Sequence, residues 1–127
     1  MSRESRKRYV RKERILDYLE NIQRQLDDLH QMPVDGPEFF LDRSNFERIK
    51  AIKYSLACAI QDVTRVSLHI AVALGTVRVR ESEAEAIIAL GGEGVIPPDL
   101  TSKIKGMPSF RNRIIQRLGI CTICCIH

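Results

Sequence analysis

Between Ser44 and Gly75 the chain has neither proline nor glycine, and apolar residues recur at Ile49, Ile52, Leu56, Ala59, Val63, Val66, Ile70 and Ala73. Steps of three and four residues place these on one side of a helix. Ala57, Cys58, Ile60 and Leu68 carry the apolar surface onto further faces. A helix that is apolar on several sides needs neighbours on several sides, so this segment predicts the centre of a helical domain. Ser44 and Glu47 have capping-box spacing, in which each side chain satisfies an N–H left over at the helix start. The small residues Ala57, Cys58 and Ala59 leave room for another helix to approach closely, from the same chain or from a second subunit.

The flanking segments read as shorter helices. From Val10 to Gln31, Ile15, Leu19, Ile22, Leu26 and Leu29 form one narrow stripe of bundle type. Met32-Pro-Val-Asp-Gly-Pro37 stops that helix and turns the chain back. Phe39, Phe40 and Leu41 are expected to plug the end of the bundle. Ser82 and Glu85 repeat the capping-box spacing ahead of Ile87, Ile88 and Leu90, with Gly91-Gly92 as a left-handed exit. Pro97 and Pro98 open a short helix, and Ser109 is expected to cap a final one. No alternating strand pattern, internal repeat or low-complexity run interrupts the series. The expected class is all-α, an antiparallel bundle of four to five helices spanning residues 10–118, with a basic arm at 1–9 and a tail at 119–127 expected to be disordered.

A length of 127 residues suits one domain. Charge breaks the apolar stretches before the ~20 residues that span a bilayer, and the N-terminus does not read as a signal sequence. A cytoplasmic location without membrane contact is expected. The net charge of +4 is unevenly placed. Arg3, Arg6, Lys7, Arg8, Arg11, Lys12 and Arg14 face only Glu4 and Glu13, which suits RNA or an acidic partner, or simply a solvated terminus. Of the four cysteines, Cys58 reads as core, while Cys121, Cys124 and Cys125 crowd the tail with His127. These are zinc-ligand types, but a structural site joins separated pieces of chain. Neither a metal nor another cofactor is expected.

Chemistry concentrates at Phe110-Arg111-Asn112-Arg113-Ile114-Ile115-Gln116-Arg117. An arginine and an amide at the head of a helix suit a phosphate, because the guanidinium fork matches its oxygens and helix-start N–H groups lie nearby. Arg113 and Arg117 are four apart and extend a basic face. The bland alternative is an ordinary surface ion pair. On the central helix, Gln61 and Asp62 are expected to bond within the bundle or line the wall of the site. His69 is expected to be a satisfied core histidine unless it faces Arg111, where it could carry a proton. His30, in the last turn of its helix, suits the dipole.

The order of helices, Gly91-Gly-Glu-Gly-Val-Ile-Pro-Pro98, the Phe110–Ile115 motif, and Ala59-Ile-Gln-Asp62 with His69-Ile70 together resemble the HepT-like proteins of the HEPN superfamily. The similarity runs from about Tyr9 to Ile115. It implies a helical-bundle endoribonuclease toxin that acts without metal, forms a homodimer and pairs with a nucleotidyltransferase antitoxin, MNT, which adds AMP to it. The family pattern is Arg, four to six residues, His, any residue, Tyr. It places the arginine at Arg111 and the following polar residue at Asn112. Gln116 stands at the histidine position and Leu118 at the modified tyrosine. Glutamine bonds a phosphate but exchanges no proton near neutral pH, so on the order of 10²–10⁴ in rate is at stake. Leu118 offers no hydroxyl to AMP. The resemblance therefore implies catalytic residues Arg111, Asn112 and Gln116, RNA contacts from Arg111, Arg113 and Arg117, no modification site, and impaired cleavage. The alternative is a non-catalytic helical dimer that binds a nucleotidyltransferase or RNA. A reading-frame shift near codon 116 would remove His and Tyr together, and translating the other two frames downstream tests that.

Overall fold

The computed structural model describes residues 11–76 and 82–118. Among them are five α-helices: α1 (Lys12–His30), α2 (Phe46–Ala73), α3 (Glu83–Gly92), α4 (Pro98–Ile104) and α5 (Met107–Leu118). Two short 3₁₀ turns, Pro37–Leu41 and Arg43–Asn45, precede α2. No strand occurs among the described residues, so the chain is an all-α bundle. The basic arm at 1–9 and the cysteine tail at 119–127 lie outside the described residues.

α2 is the axis, and α1, α3 and α5 all pack on it. Arg43–Ala73 is long and apolar enough to cross a membrane by length and composition, which the charge spacing did not lead one to expect. Here part of that apolar surface meets other helices. Along its C-terminal half, Ala71 joins Ala86 and Leu90 of α3, with Leu68, Ile70 and Ile96 around them. Along its N-terminal half, the small Ala57 admits Ile114 and Ile115 of α5, with Leu56 beside them. Cys58, Ala59 and Ile60 are buried too. The backbone N–H of Arg11, ahead of α1, donates to Nε2 of His69 near the end of α2 (3.3 Å), so α1 and α2 run antiparallel.

The helix starts divide into two kinds. Ser82 and Glu85 close the expected capping box, Glu85 N–H donating to Ser82 Oγ (3.1 Å) and Ser82 N–H to the Glu85 carboxylate (3.3 Å). The box at Ser44 and Glu47 does not form. Asp42 takes both the N–H (3.0 Å) and the hydroxyl (2.8 Å) of Ser44, which holds that residue in a 3₁₀ turn, and α2 begins at Phe46 behind Asn45. Three other expectations also shift. The left-handed residue after α3 is Gly94 (φ 73°), because the helix continues through both Gly91 and Gly92. α5 starts at Met107, leaving Ser109 inside its first turn. Leu41 is 84% exposed, and Phe40 is exposed as well, so only Phe39 is even half-buried at the bundle end.

Candidate active site

α5 runs antiparallel to α2, since Arg111 meets Gln61 and Thr64 while Ile114 and Ile115 meet Ala57. This register buries Arg111, which is 5% exposed. A guanidinium has five N–H donors and needs acceptors for them when taken out of water. The bundle supplies them from three helices. Nη1 donates to Glu83 Oε2 (2.6 Å) and Gln61 Oε1 (2.9 Å), with Thr64 Oγ1 at 3.4 Å. Nη2 donates to Asn112 Oδ1 (2.8 Å) and Glu83 Oε1 (3.3 Å), and Nε also donates to Asn112 Oδ1 (3.2 Å). Thr64 gives its own hydroxyl proton to the Gln61 carbonyl (2.8 Å), which turns a lone pair toward the arginine.

Arg111 therefore does not stand at an open helix N-terminus awaiting a phosphate. It lies one turn inside α5, Pro108 removes one of the helix-start donors, and all three of its nitrogens are engaged. The physical reason is Glu83. Its carboxylate, at the start of α3 and 37% exposed by side chain, forms a two-pronged ion pair with the buried guanidinium. The sequence marked Gln61 as part of the wall but missed both Glu83 and Thr64. An acid in the first turn of a capped helix was the available signal, and it reads equally well as a dipole partner.

Besides the part-exposed Glu83 carboxylate, the exposed part of the site is a pair of carboxamides. Asn112 is exposed, yet its oxygen is held by two arginine donors, so its NH₂ group is left facing away as a donor. The oxygen and nitrogen of an amide are assigned from such networks, and only the oxygen can face a guanidinium. Gln116, also exposed, lies four residues on and shares that face. Together they can donate to phosphate oxygens. Neither can take or give a proton near neutral pH. His69 does not fill the gap, because its Nε2 accepts from Arg11 at the start of α1. Burial first, then Arg14 and Arg11, hold its pKa below the ordinary 6.5.

Arg113 and Arg117 are exposed on another side of α5, Arg113 lying 5.9 Å from the centre of the Phe110 ring. They belong to a different surface from Arg111. The side chain of Leu118 lies outside the described residues, while Asp62 is half-buried on α2. No group of three or more potential metal-binding side chains occurs among the described residues.

A family model described as Ribonuclease HepT-like matches residues 15–118, which include α5 and nearly all of α1. The chain belongs to the HepT-like ribonuclease family. Comparison with curated proteins and with solved structures finds no match. In this HepT-like chain Arg111 is the buried keystone of the α2–α3–α5 junction, and the surface it supports carries Asn112 and Gln116.

Proposed function

We propose that the chain is the toxin subunit of a HepT-like toxin–antitoxin pair, a cytoplasmic homodimer that binds RNA and whose cleavage step is impaired. Family membership supports the ribonuclease class. The observation that carries the impairment is the exposed Asn112–Gln116 face, which can hold a phosphate but exchanges no proton, while among the described residues the carboxylate of the same network, Glu83, is taken up by its ion pair with Arg111. Metal-independent cleavage of RNA needs a group that takes the 2′-hydroxyl proton or protonates the leaving oxygen. The partner in this reading is an MNT-type nucleotidyltransferase. Leu118 leaves it no tyrosine to modify at the family position.

A second reading, a non-catalytic dimer that binds the nucleotidyltransferase or RNA without cutting, is favoured by the engagement of Arg111 within the bundle. One assay separates the two. Wild type, Gln116→His and Gln116→His/Asn112→Ala are incubated with single-stranded RNA in the presence of chelator. An impaired enzyme gives cleavage near background in wild type, a gain on the order of 10²–10⁴ in Gln116→His, and loss of that gain when Asn112 is removed. A histidine variant that stays inert while wild type binds RNA establishes the binding module. Wild-type cleavage at a rate unaffected by changes at Gln116 overturns the impairment.

A further inference from the structure

Beside α5, on the side away from Asn112, lies a cavity of about 300 Å³ lined by Phe40, Ile52, Lys53, Leu56, Phe110, Arg113, Ile114 and Arg117. Its composition is specific. Among the described residues its lining is aliphatic at Ile52, Leu56 and Ile114, includes two of the chain's four phenylalanines, and carries charge only on three cations. Among the described residues no carboxylate lines it and none of the three cations forms an ion pair. Phe40 and Phe110 remain 45% and 44% exposed, an unfavourable placement for large rings unless something covers them. Arg113 already lies near the Phe110 ring, so that face carries positive charge and a π surface together.

An apolar, aromatic-walled pocket with cations matches a flat aromatic group attached to an anion. Unpaired nucleotides have that chemistry: bases stack on aromatic side chains and on guanidinium planes, while Lys and Arg follow the phosphates. The size agrees, because about 300 Å³ is at the lower end of small-ligand pockets and suits one inserted group rather than the row of side chains presented by a partner helix. We infer that this cavity is a base pocket, which takes one unpaired nucleobase of a single-stranded RNA against Phe110 and Phe40 while Lys53, Arg113 and Arg117 hold its flanking phosphates. The inference rests on the reading that the chain binds RNA, and deepens it. The pocket and the Asn112–Gln116 face lie on different sides of α5, a helix about 10–12 Å across with its side chains. A strand crossing the helix would thus be read at one base and held at a phosphate some distance along, which selects unpaired RNA over duplex.

The test uses the full chain and a short single-stranded RNA in which 2-aminopurine replaces each purine in turn, alongside the same RNA with an abasic residue there and its duplex form. Binding is followed by anisotropy and by 2-aminopurine emission. The expected result is a change in emission at one position and weak binding of the duplex. Phe110→Ala should weaken affinity by about tenfold or more, while Phe110→Tyr, which keeps a ring, stays near wild type. Arg113→Ala and Lys53→Ala should each lower the salt dependence of binding. Circular dichroism checks that the variants fold. RNA binding that is indifferent both to the abasic residue and to Phe110→Ala overturns the pocket and leaves RNA binding standing. An acidic helical peptide that occupies the pocket, displacing no RNA, overturns it in favour of a protein partner. Absence of RNA binding at any salt concentration removes the RNA reading and the pocket with it.

Discussion

A guanidinium that is 5% exposed and bonded at all three nitrogens is held by its surroundings more than it holds a ligand. Arg111 gives the Asn112 amide its orientation and ties α5 to α2 and α3. Removing one member of such a pair leaves the other charge buried and unpaired, which costs more than replacing both by apolar groups. Glu83→Gln is therefore expected to destabilise by roughly 3 kcal/mol, the low end for a buried pair because the carboxylate reaches water. Arg111→Met/Glu83→Gln should cost clearly less than the sum of the single variants. Urea denaturation of the four proteins measures the coupling, and simple additivity would refute it. His69 is the second residue with a measurable signature. Its pKa lies below 6.5 in the folded chain, so between the two values the unfolded state binds more protons. Stability contributed by neutral His69 is complete above about pH 6.5 and declines as pH falls below it. His69→Gln, which keeps an acceptor for Arg11, should flatten that part of the pH profile in thermal melts.

Helix ends and helix contacts show which sequence signals were decisive. Ser82-Glu83-Ala84-Glu85 and Ser44-Asn45-Phe46-Glu47 have equal capping-box spacing, yet only the first forms. The difference is Asp42, whose carboxylate reaches Ser44 first and whose pKa is lowered by those same bonds. Ser44 and Gly75 placed the ends of α2 within two residues, and the wide apolar faces between them marked it as central. The junction at Arg111 was not legible, since Gln61, Thr64 and Glu83 lie 28 to 50 residues away in sequence and only the packing of α3 and α5 on α2 brings them together. α3 and α4 meet at Gly91, where an added Cβ would run into the Thr101 side chain, whereas at Gly92 it would meet nothing within 4 Å. Gly91→Ala should thus cost about 1–2 kcal/mol despite the better helix propensity of alanine, and Gly92→Ala should stabilise by up to about 1 kcal/mol. Thr101→Ala should relieve most of the Gly91→Ala penalty. Equal effects at the two glycines in chemical denaturation would show that the contact is slack.

At the scale of the molecule, the stripe on α1 divides. Ile15, Ile22 and Leu29 are half-buried, but Leu16, Leu19 and Leu26 are 53%, 50% and 40% exposed, and α1 contains no fully buried residue. Leu16, Leu19 and Leu26 are spaced by three and seven residues, so they line one side of the helix as an apolar strip, with Gln23 between Leu19 and Leu26. A single chain gains nothing from exposing such a strip, whereas a two-fold pairing would cover the same strip on both copies. If the proposed homodimer uses this surface, Leu19→Asp/Leu26→Asp should sediment as a monomer at concentrations where wild type sediments as a dimer, with helicity retained because these side chains contribute little to the interior. The same variant should bind RNA more weakly, since a dimer offers two basic faces to one strand and the second contact adds avidity. A wild-type protein that remains monomeric across the concentration range would exclude the pairing. A dimer unaffected by both aspartates would move the interface elsewhere, to the remaining exposed rings around Phe46 or the α3 surface at Ile88.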